Sequence, residues 1–231
     1  MLRFEQFELA DGVRLDARIE RGRLHVLALD PEHVQEDFIA RYLAVGTVAR
    51  GELWLEEVRD AAGGPTALRA LPAAKLRGFF AGFVGFVLRD GGLVDELTVR
   101  ENLVLSPRYH DVWPGGGSGE GKLAEMLRSL AGEEIEGVAA AELLDRRPVE
   151  LSAFARRYWG WLTTLVRRPQ LVVAFAPFDG LRAADRAAIA GLLQRYRKLE
   201  PASAHLLVTT GAHEAAALAG IEVTELRAES L

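Results

Sequence analysis

The chain has no cysteine among its 231 residues, which excludes disulfides and thiolate metal sites and fits a reducing compartment. It also lacks a long apolar run. The longest, Phe79 to Leu88, is ten residues with two glycines, whereas a membrane-spanning helix needs about 20. The opening Met1-Leu2-Arg3-Phe4-Glu5 carries no apolar signal core. A soluble chain is expected, with any membrane role exercised through a partner. Positive charge is in short supply too: 28 Lys and Arg stand against 33 Asp and Glu, a net charge of −5. The basic field of a general nucleic-acid binder is therefore missing, despite the local pairs Arg146-Arg147, Arg156-Arg157 and Arg167-Arg168. The histidines (His25, His33, His110, His205, His213) show no zinc spacing. His25 and His205 fall in strand-like stretches and read as satisfied core residues.

What is present is globular: 49% hydrophobic and 26% charged residues, values that argue against disorder, collagen and coiled coil. Glycine, 23 of 231, is in mild excess over the usual ~7%. Such an excess points either to phosphate-binding loops or to turns, so position decides. Apolar and alternating runs predict strands near 3–8, 12–18, 23–29, 51–57, 82–88, 171–175, 205–209 and 221–226. Helical spacing appears near 34–44, 66–77, 95–105, 121–131, 139–145, 154–166, 183–199 and 213–219. Residues 113–121 form a glycine-rich loop with little to pack. Strands first, helices in the middle and βαβ alternation at the end imply an α/β core with a parallel sheet and an inserted helical lobe.

The most conspicuous glycines are a decoy. Gly116-Gly-Ser-Gly-Glu-Gly121-Lys122 has the GxxxxGK spacing of a phosphate loop. Such a loop needs a strand before it, a helix after it and a hydroxyl following the lysine. Here Leu123 follows the lysine, and Tyr109 to Pro114 is not a buried strand. The segment reads as a linker.

A stronger signal lies further on. Pro148-Val-Glu-Leu-Ser152 is followed in order by Arg157, Leu165-Val-Arg-Arg-Pro-Gln-Leu-Val-Val-Ala174, Pro177 and Asp179-Gly-Leu181. This resembles the stretch from the signature motif through Walker B to the D-loop of ATP-binding-cassette (ABC) transporter ATPases. Upstream, the run from Gly85 to Leu103 resembles the family's Q-loop and the helix after it, with wording nearest to lipid-trafficking cassettes of the MCE/Mla type. Gly51-Glu-Leu-Trp-Leu55 resembles the strand after the first helix. The resemblance spans about residues 12–226. It implies one P-loop NTPase-like cassette over residues 1–231: a mainly parallel core sheet (1–88 and 168–231), an N-terminal antiparallel β subdomain, and a helical insert at about 89–167.

Against that pattern the nucleotide-handling positions are altered. The Walker A loop should follow the strand ending at Leu29, but Asp30 to Phe38 contains no glycine. Glu36 stands at the phosphate-binding lysine and Asp37 at the magnesium-binding hydroxyl. A unit charge pair at 4 Å and an effective dielectric of 20 is worth roughly 4 kcal/mol, and here its sign is reversed. Arg89 replaces the Q-loop Gln. Phe175 and Ala176 replace the Walker B metal ligand and general base, and they read as apolar filling for an empty pocket. Thr210 takes the place of the switch His, and Arg182 that of the D-loop Asp. In the signature Ser152 persists, but Ala153, Phe154 and Ala155 replace the glycines and Gln. Phe154 is expected to put a ring where backbone should approach phosphate. The resemblance thus implies a cassette without phosphoryl transfer and without a bound cofactor or metal.

The implied partners are an integral membrane permease docked in the Q-loop cleft, a second cassette in a homodimer or heterodimer, and, from the MCE/Mla-type wording, an MCE-domain protein in the same complex. That places the chain peripherally on the cytoplasmic face of the inner membrane. Candidate docking residues are Arg89, Asp90, Leu93, Asp95, Glu96 and Glu101. Helix capping by the acids is the competing explanation. Tyr158, Trp159 and Trp161 lie on one predicted helix. The two tryptophans are two residues apart and cannot share a face; one is assigned to the core, and for the other core packing is favoured over filling the space left by nucleotide or reaching a partner. An ATP-binding or weakly active subunit, and a soluble regulator that borrows the fold, remain alternatives.

Overall fold

The computed structural model describes residues 2–8, 13–29, 52–59, 64–67, 82–110, 119–132, 134–209, 218, 221–226 and 228–230. Its strands, in chain order, are β1 (Leu2–Glu8), β2 (Val13–Ile19), β3 (Leu24–Ala28), β4 (Glu52–Arg59), β5 (Pro65–Ala67), β6 (Val84–Val87), β7 (Glu134–Ile135), β8 (Val138–Ala139), β9 (Leu171–Phe175), β10 (Ala204–Thr209), β11 (Val223–Leu226) and β12 (Ala228–Ser230). Its helices are α1 (Val99–His110), α2 (Gly119–Leu130), α3 (Ala140–Leu143), α4 (Ala153–Leu165) and α5 (Ala183–Leu199), with a 3₁₀ turn at Pro148–Glu150.

Two five-stranded sheets form. One is antiparallel, in the order β12-β2-β1-β4-β5, and the other is parallel, in the order β11-β3-β10-β9-β6. β9 reads Leu-Val-Val-Ala-Phe and every residue is buried, as expected of a parallel strand covered on both faces. Its side chains alternate. Leu171, Val173 and Phe175 pack with Phe4, Phe7 and Leu15 of the antiparallel sheet. Val172 and Ala174 pack with Trp159, Leu162 and Leu193 of the helices. β10 follows the same rule, with Leu206 and Val208 on the first side and Leu207 on the second.

The helical insert is fastened to this sheet through α4. Thr164 donates to the Phe86 carbonyl at 2.8 Å, and Arg167 donates to the Val84 carbonyl at 3.1 Å. Both Trp159 and Trp161 are fully enclosed, and Trp159 also borders a groove on the insert. α4 is covered on almost every side, and tryptophans on different faces are both core residues. Each aromatic of this size buries about 150–250 Å², roughly 4–6 kcal/mol before entropy and polar costs. Part of that gain is offset, because neither indole N–H has a hydrogen-bond partner among the described residues.

Several predicted boundaries shift. The helix expected at 66–77 is contradicted at its start, where Pro65–Ala67 pairs with β4 as a short strand; residues 68–77 lie outside the described residues, as do 34–44 and nearly all of 213–219. The helix expected from Asp95 begins at Val99. The linker expected through Gly121 gives way to α2 at Gly119, because the Leu123, Met126, Leu130 stripe buries one helix face. The last four residues of the GxxxxGK lookalike, Gly119 to Lys122, therefore open α2; its first three lie outside the described residues.

Candidate functional site at the carboxyl edge of the parallel sheet

In an open parallel sheet, ligands meet the loops that leave the carboxyl ends of the strands. Here those ends are tied together. Leu29 N–H donates to the Thr209 carbonyl at 2.9 Å, and Ala176 N–H to the Val208 carbonyl at 2.8 Å. Phe175 is buried between the two sheets and stacks on Phe86, with centroids 6.5 Å apart and planes within 3°. Ala176 is buried in a left-handed conformation, φ 44°. Glu36, Asp37 and Thr210 lie outside the described residues.

Arg89 follows β6 and forms an ion pair with Asp179, in the loop after β9. From α4, Arg157 donates to the carbonyls of both residues, at 2.7 Å to Arg89 and 2.6 Å to Asp179. These groups border a cleft of about 630 Å³ lined by Leu88, Arg89, Asp90, Ala153, Arg156 and Arg157. Among the described residues at this edge, apolar side chains end β9, and the guanidinium at the Q-loop position is engaged by a carboxylate, neither of which offers a ligand to a magnesium nucleotide.

The signature position is likewise engaged. Ser152 caps α4, accepting from Ala155 N–H at 3.0 Å, and its hydroxyl donates to the Glu136 carboxylate. Arg182 grips Asp185 through two nitrogens, at 2.8 and 3.1 Å, and reaches Glu136 at 3.4 Å. The Arg182 guanidinium holds the Asp185 carboxyl below its usual range. Phe154, in the first turn of α4, is buried with its ring against Tyr158, at 5.7 Å between centroids.

The acids assigned to docking are mostly spoken for. Asp95 pairs with Arg156 at 2.7 Å. Glu101 closes a capping box, accepting from Thr98 N–H at 2.7 Å while Thr98 Oγ1 accepts from Glu101 N–H at 3.2 Å. Those bonds hold its carboxyl below the usual range. Asp90 accepts from Gly92 N–H at 2.9 Å. Leu93 is turned into the core, while Glu96 is exposed. Asn102, which sequence reasoning passed over, is buried and pins the loop before α1, exchanging bonds with Val94 at 2.8 and 3.0 Å.

A larger concavity opens on the insert. It is a groove of about 920 Å³ between α1, α2 and α3, with Val104, Leu123, Leu127 and Leu144 in its walls and Arg100, Glu101 and Arg128 among its lining residues. Arg100 is paired with Asp145 at 2.9 Å. Among the described residues, Arg128 donates only to the Ala124 carbonyl, at 3.3 Å.

A parallel sheet flanked by an antiparallel sheet on one face and helices on the other, with this strand order, is the fold of an ABC transporter ATP-binding cassette. The chain superimposes over 100% of its length, and over 98% of the other chain, on the ATP-binding cassette MJ0796 solved as a dimer in a post-hydrolysis state with ADP and Pi, with a TM-score of 0.71 and 17% identity. It superimposes at 0.70 and 13% identity on cbiO1 from Clostridium perfringens, part of the ABC transporter complex cbiONQ, covering 98% of this chain and 84% of that one. In sequence it is 31% identical over 117 residues to the glycine betaine/carnitine/choline transport ATP-binding protein OpuCA of Bacillus subtilis, 51% of this chain and 28% of that protein. It is 32% identical over 99 residues to the carnitine transport ATP-binding protein OpuCA of Listeria monocytogenes, 42% of this chain and 22% of that protein. The matched segments thus span only about a quarter of those relatives' lengths. No protein-family profile matches the chain.

Proposed function

We propose that this chain is a non-catalytic cassette subunit of a membrane transport complex, docked peripherally on the cytoplasmic side of a permease. The observation that carries the reading is the coincidence of lost chemistry with internal replacement. Where the family pattern places the Q-loop Gln, Arg89 is paired to Asp179; where it places the signature hydroxyl at a phosphate, Ser152 is bonded to Glu136. The lipid-transport assignment, with an MCE-domain protein in the same complex, rests on the wording of residues 85–103 and is part of this proposal.

In this reading the permease contact extends over the groove between α1, α2 and α3, whose lining includes Glu101, one of the candidate docking acids. Apolar walls with Arg100, Glu101 and Arg128 among the lining suit a short amphipathic helix that carries charged groups beside its apolar face. Two substitutions on its exposed lining, Ala124→Glu and Ala141→Glu, are expected to abolish co-purification with the permease while leaving the circular dichroism spectrum unchanged; unaltered recovery of the permease would refute the assignment.

Similarity to transport ATP-binding proteins favours a second reading, an ATP-binding subunit using unorthodox residues. Isothermal titration with Mg-ATP separates the two. The non-catalytic reading expects no heat of binding, and micromolar affinity would overturn it.

A further inference from the structure

We infer that two internal polar clasps hold the helical insert against the parallel sheet in one orientation that does not depend on nucleotide. This inference rests on the non-catalytic reading above and adds a conformational consequence to it.

The first clasp joins three segments that are distant in the chain. Arg89 leaves β6, Asp179 leaves β9, and Arg157 projects from α4. The first two are ion-paired, and Arg157 donates to both of their carbonyls, at 2.7 and 2.6 Å. A single guanidinium of the insert therefore bonds two loops of the core that are already bonded to each other. Behind it the backbones touch. Gly91 has φ 96°, and a Cβ built there would lie 2.6 Å from the Arg156 carbonyl oxygen. A Cβ on Gly160 would fall inside the Gly91 carbonyl. The Q-loop segment is seated on α4 with no side chain between them.

The second clasp joins the β7–β8 hairpin to the starts of α4 and α5. Glu136 accepts from the Ser152 hydroxyl and from Arg182, which itself grips Asp185. Glu136 and Gly137 form the two-residue turn, with φ 54° and 76°. Such turns favour Asn or Asp at the first position, and a glutamate there is a costly choice. Its extra methylene is what lets the carboxylate reach Ser152 and Arg182. Exposed ion pairs are individually weak. Each clasp is instead a network: Arg157 holds Arg89 and Asp179, which are already paired, and Glu136 holds Ser152 and Arg182, the latter also gripping Asp185, so that α4 is held at its cap and about one turn further along.

The absence of native cysteine permits a direct test by pulsed electron paramagnetic resonance. Ser129→Cys on α2 and Ala202→Cys before β10 are both exposed positions and carry one spin label each. The expected result is a single narrow distance distribution that Mg-ATP does not move. Adding Arg89→Gln and Glu136→Asn, the second of which suits the turn better than glutamate does, is expected to widen the distribution by about twofold or more. A broad distribution in the parent chain, or an unchanged width in the clasp variant, overturns the inference. Should the clasp variant fail to fold, the parent's distribution with and without Mg-ATP still decides. Mg-ATP binding by titration with an unmoved narrow distribution refutes the non-catalytic reading alone; no binding with a broad distribution refutes the clasps alone.

Discussion

His205 sits on β10 with its imidazole fully enclosed and edge-on to Tyr196, 5.7 Å between centroids. Neither ring nitrogen has a hydrogen-bond partner among the described residues. His25 lies on the adjoining β3, also buried, accepting from Glu20 N–H at 3.0 Å. The expectation of satisfied core histidines thus holds for burial and for one nitrogen of His25, and fails for His205. Burial, reinforced by the charges of Arg197 and His25, pushes His205 down to about 3, and burial lowers His25 as well. The fold accepts the neutral rings, whereas the unfolded chain protonates near 6.5. Stability is therefore complete above that value and is lost as pH falls toward 3, because the unfolded state binds more protons throughout that window. Urea denaturation should show stability falling by up to about 1.4 kcal/mol per pH unit for His205 below pH 6. In a His205→Leu chain that slope should shrink; an equal slope would place the acid sensitivity elsewhere.

At the scale of elements, α4 organises the site, and its most demanding position is Gly160. The helix buries Trp159 and Trp161 on different faces and touches the Gly91 backbone through Gly160. Gly160→Ala would favour helix in isolation by up to about 1 kcal/mol. In this setting its methyl meets a carbonyl oxygen that has no flexible side chain to move, so the substitution should destabilise the chain by about 2–4 kcal/mol. A thermal melt at or above the parent's would show that the segment at Gly91 yields easily. This glycine was invisible in the sequence, because nothing in a helical pattern says which neighbour lacks room. Long apolar runs such as Leu171 to Phe175, and amphipathic stretches such as Ala183 to Leu199, were legible because burial follows their period. The β7–β8 hairpin was not, since two-residue strands carry too few positions to show alternation. Site positions in the regular motifs were placed by resemblance. Their partners Glu136 and Asp179 were missed, because an ion pair between residues 90 apart in sequence leaves no local signal. A Glu-Gly pair between Ile135 and Val138 was the one available clue to the turn.

For the molecule as a whole, nucleotide response is the property on which fold and site disagree. The fold is that of a cassette solved with ADP and Pi, and similarity of fold alone would predict stabilisation by Mg-ATP. The size of that effect is calculable. A ligand present at 1,000 times its dissociation constant stabilises the folded state by about 4.1 kcal/mol. For a chain of this length each kcal/mol moves the melting temperature by about 2–4 °C, so millimolar Mg-ATP with micromolar affinity would raise it by roughly 8–16 °C. The groups present argue for no such response. Arg89 is held by Asp179, Ser152 by Glu136, and apolar side chains close the end of β9. On the proposed non-catalytic reading, nucleotide binding there would compete with these internal bonds, and their loss would subtract from any affinity the ligand brings. A melt followed by circular dichroism with and without millimolar Mg-ATP should therefore agree within about 1 °C, a difference equivalent to less than about 0.5 kcal/mol. A rise of several degrees would mean that the carboxylates and guanidinia release one another for phosphate, and that the edge of the sheet is a nucleotide site in another guise.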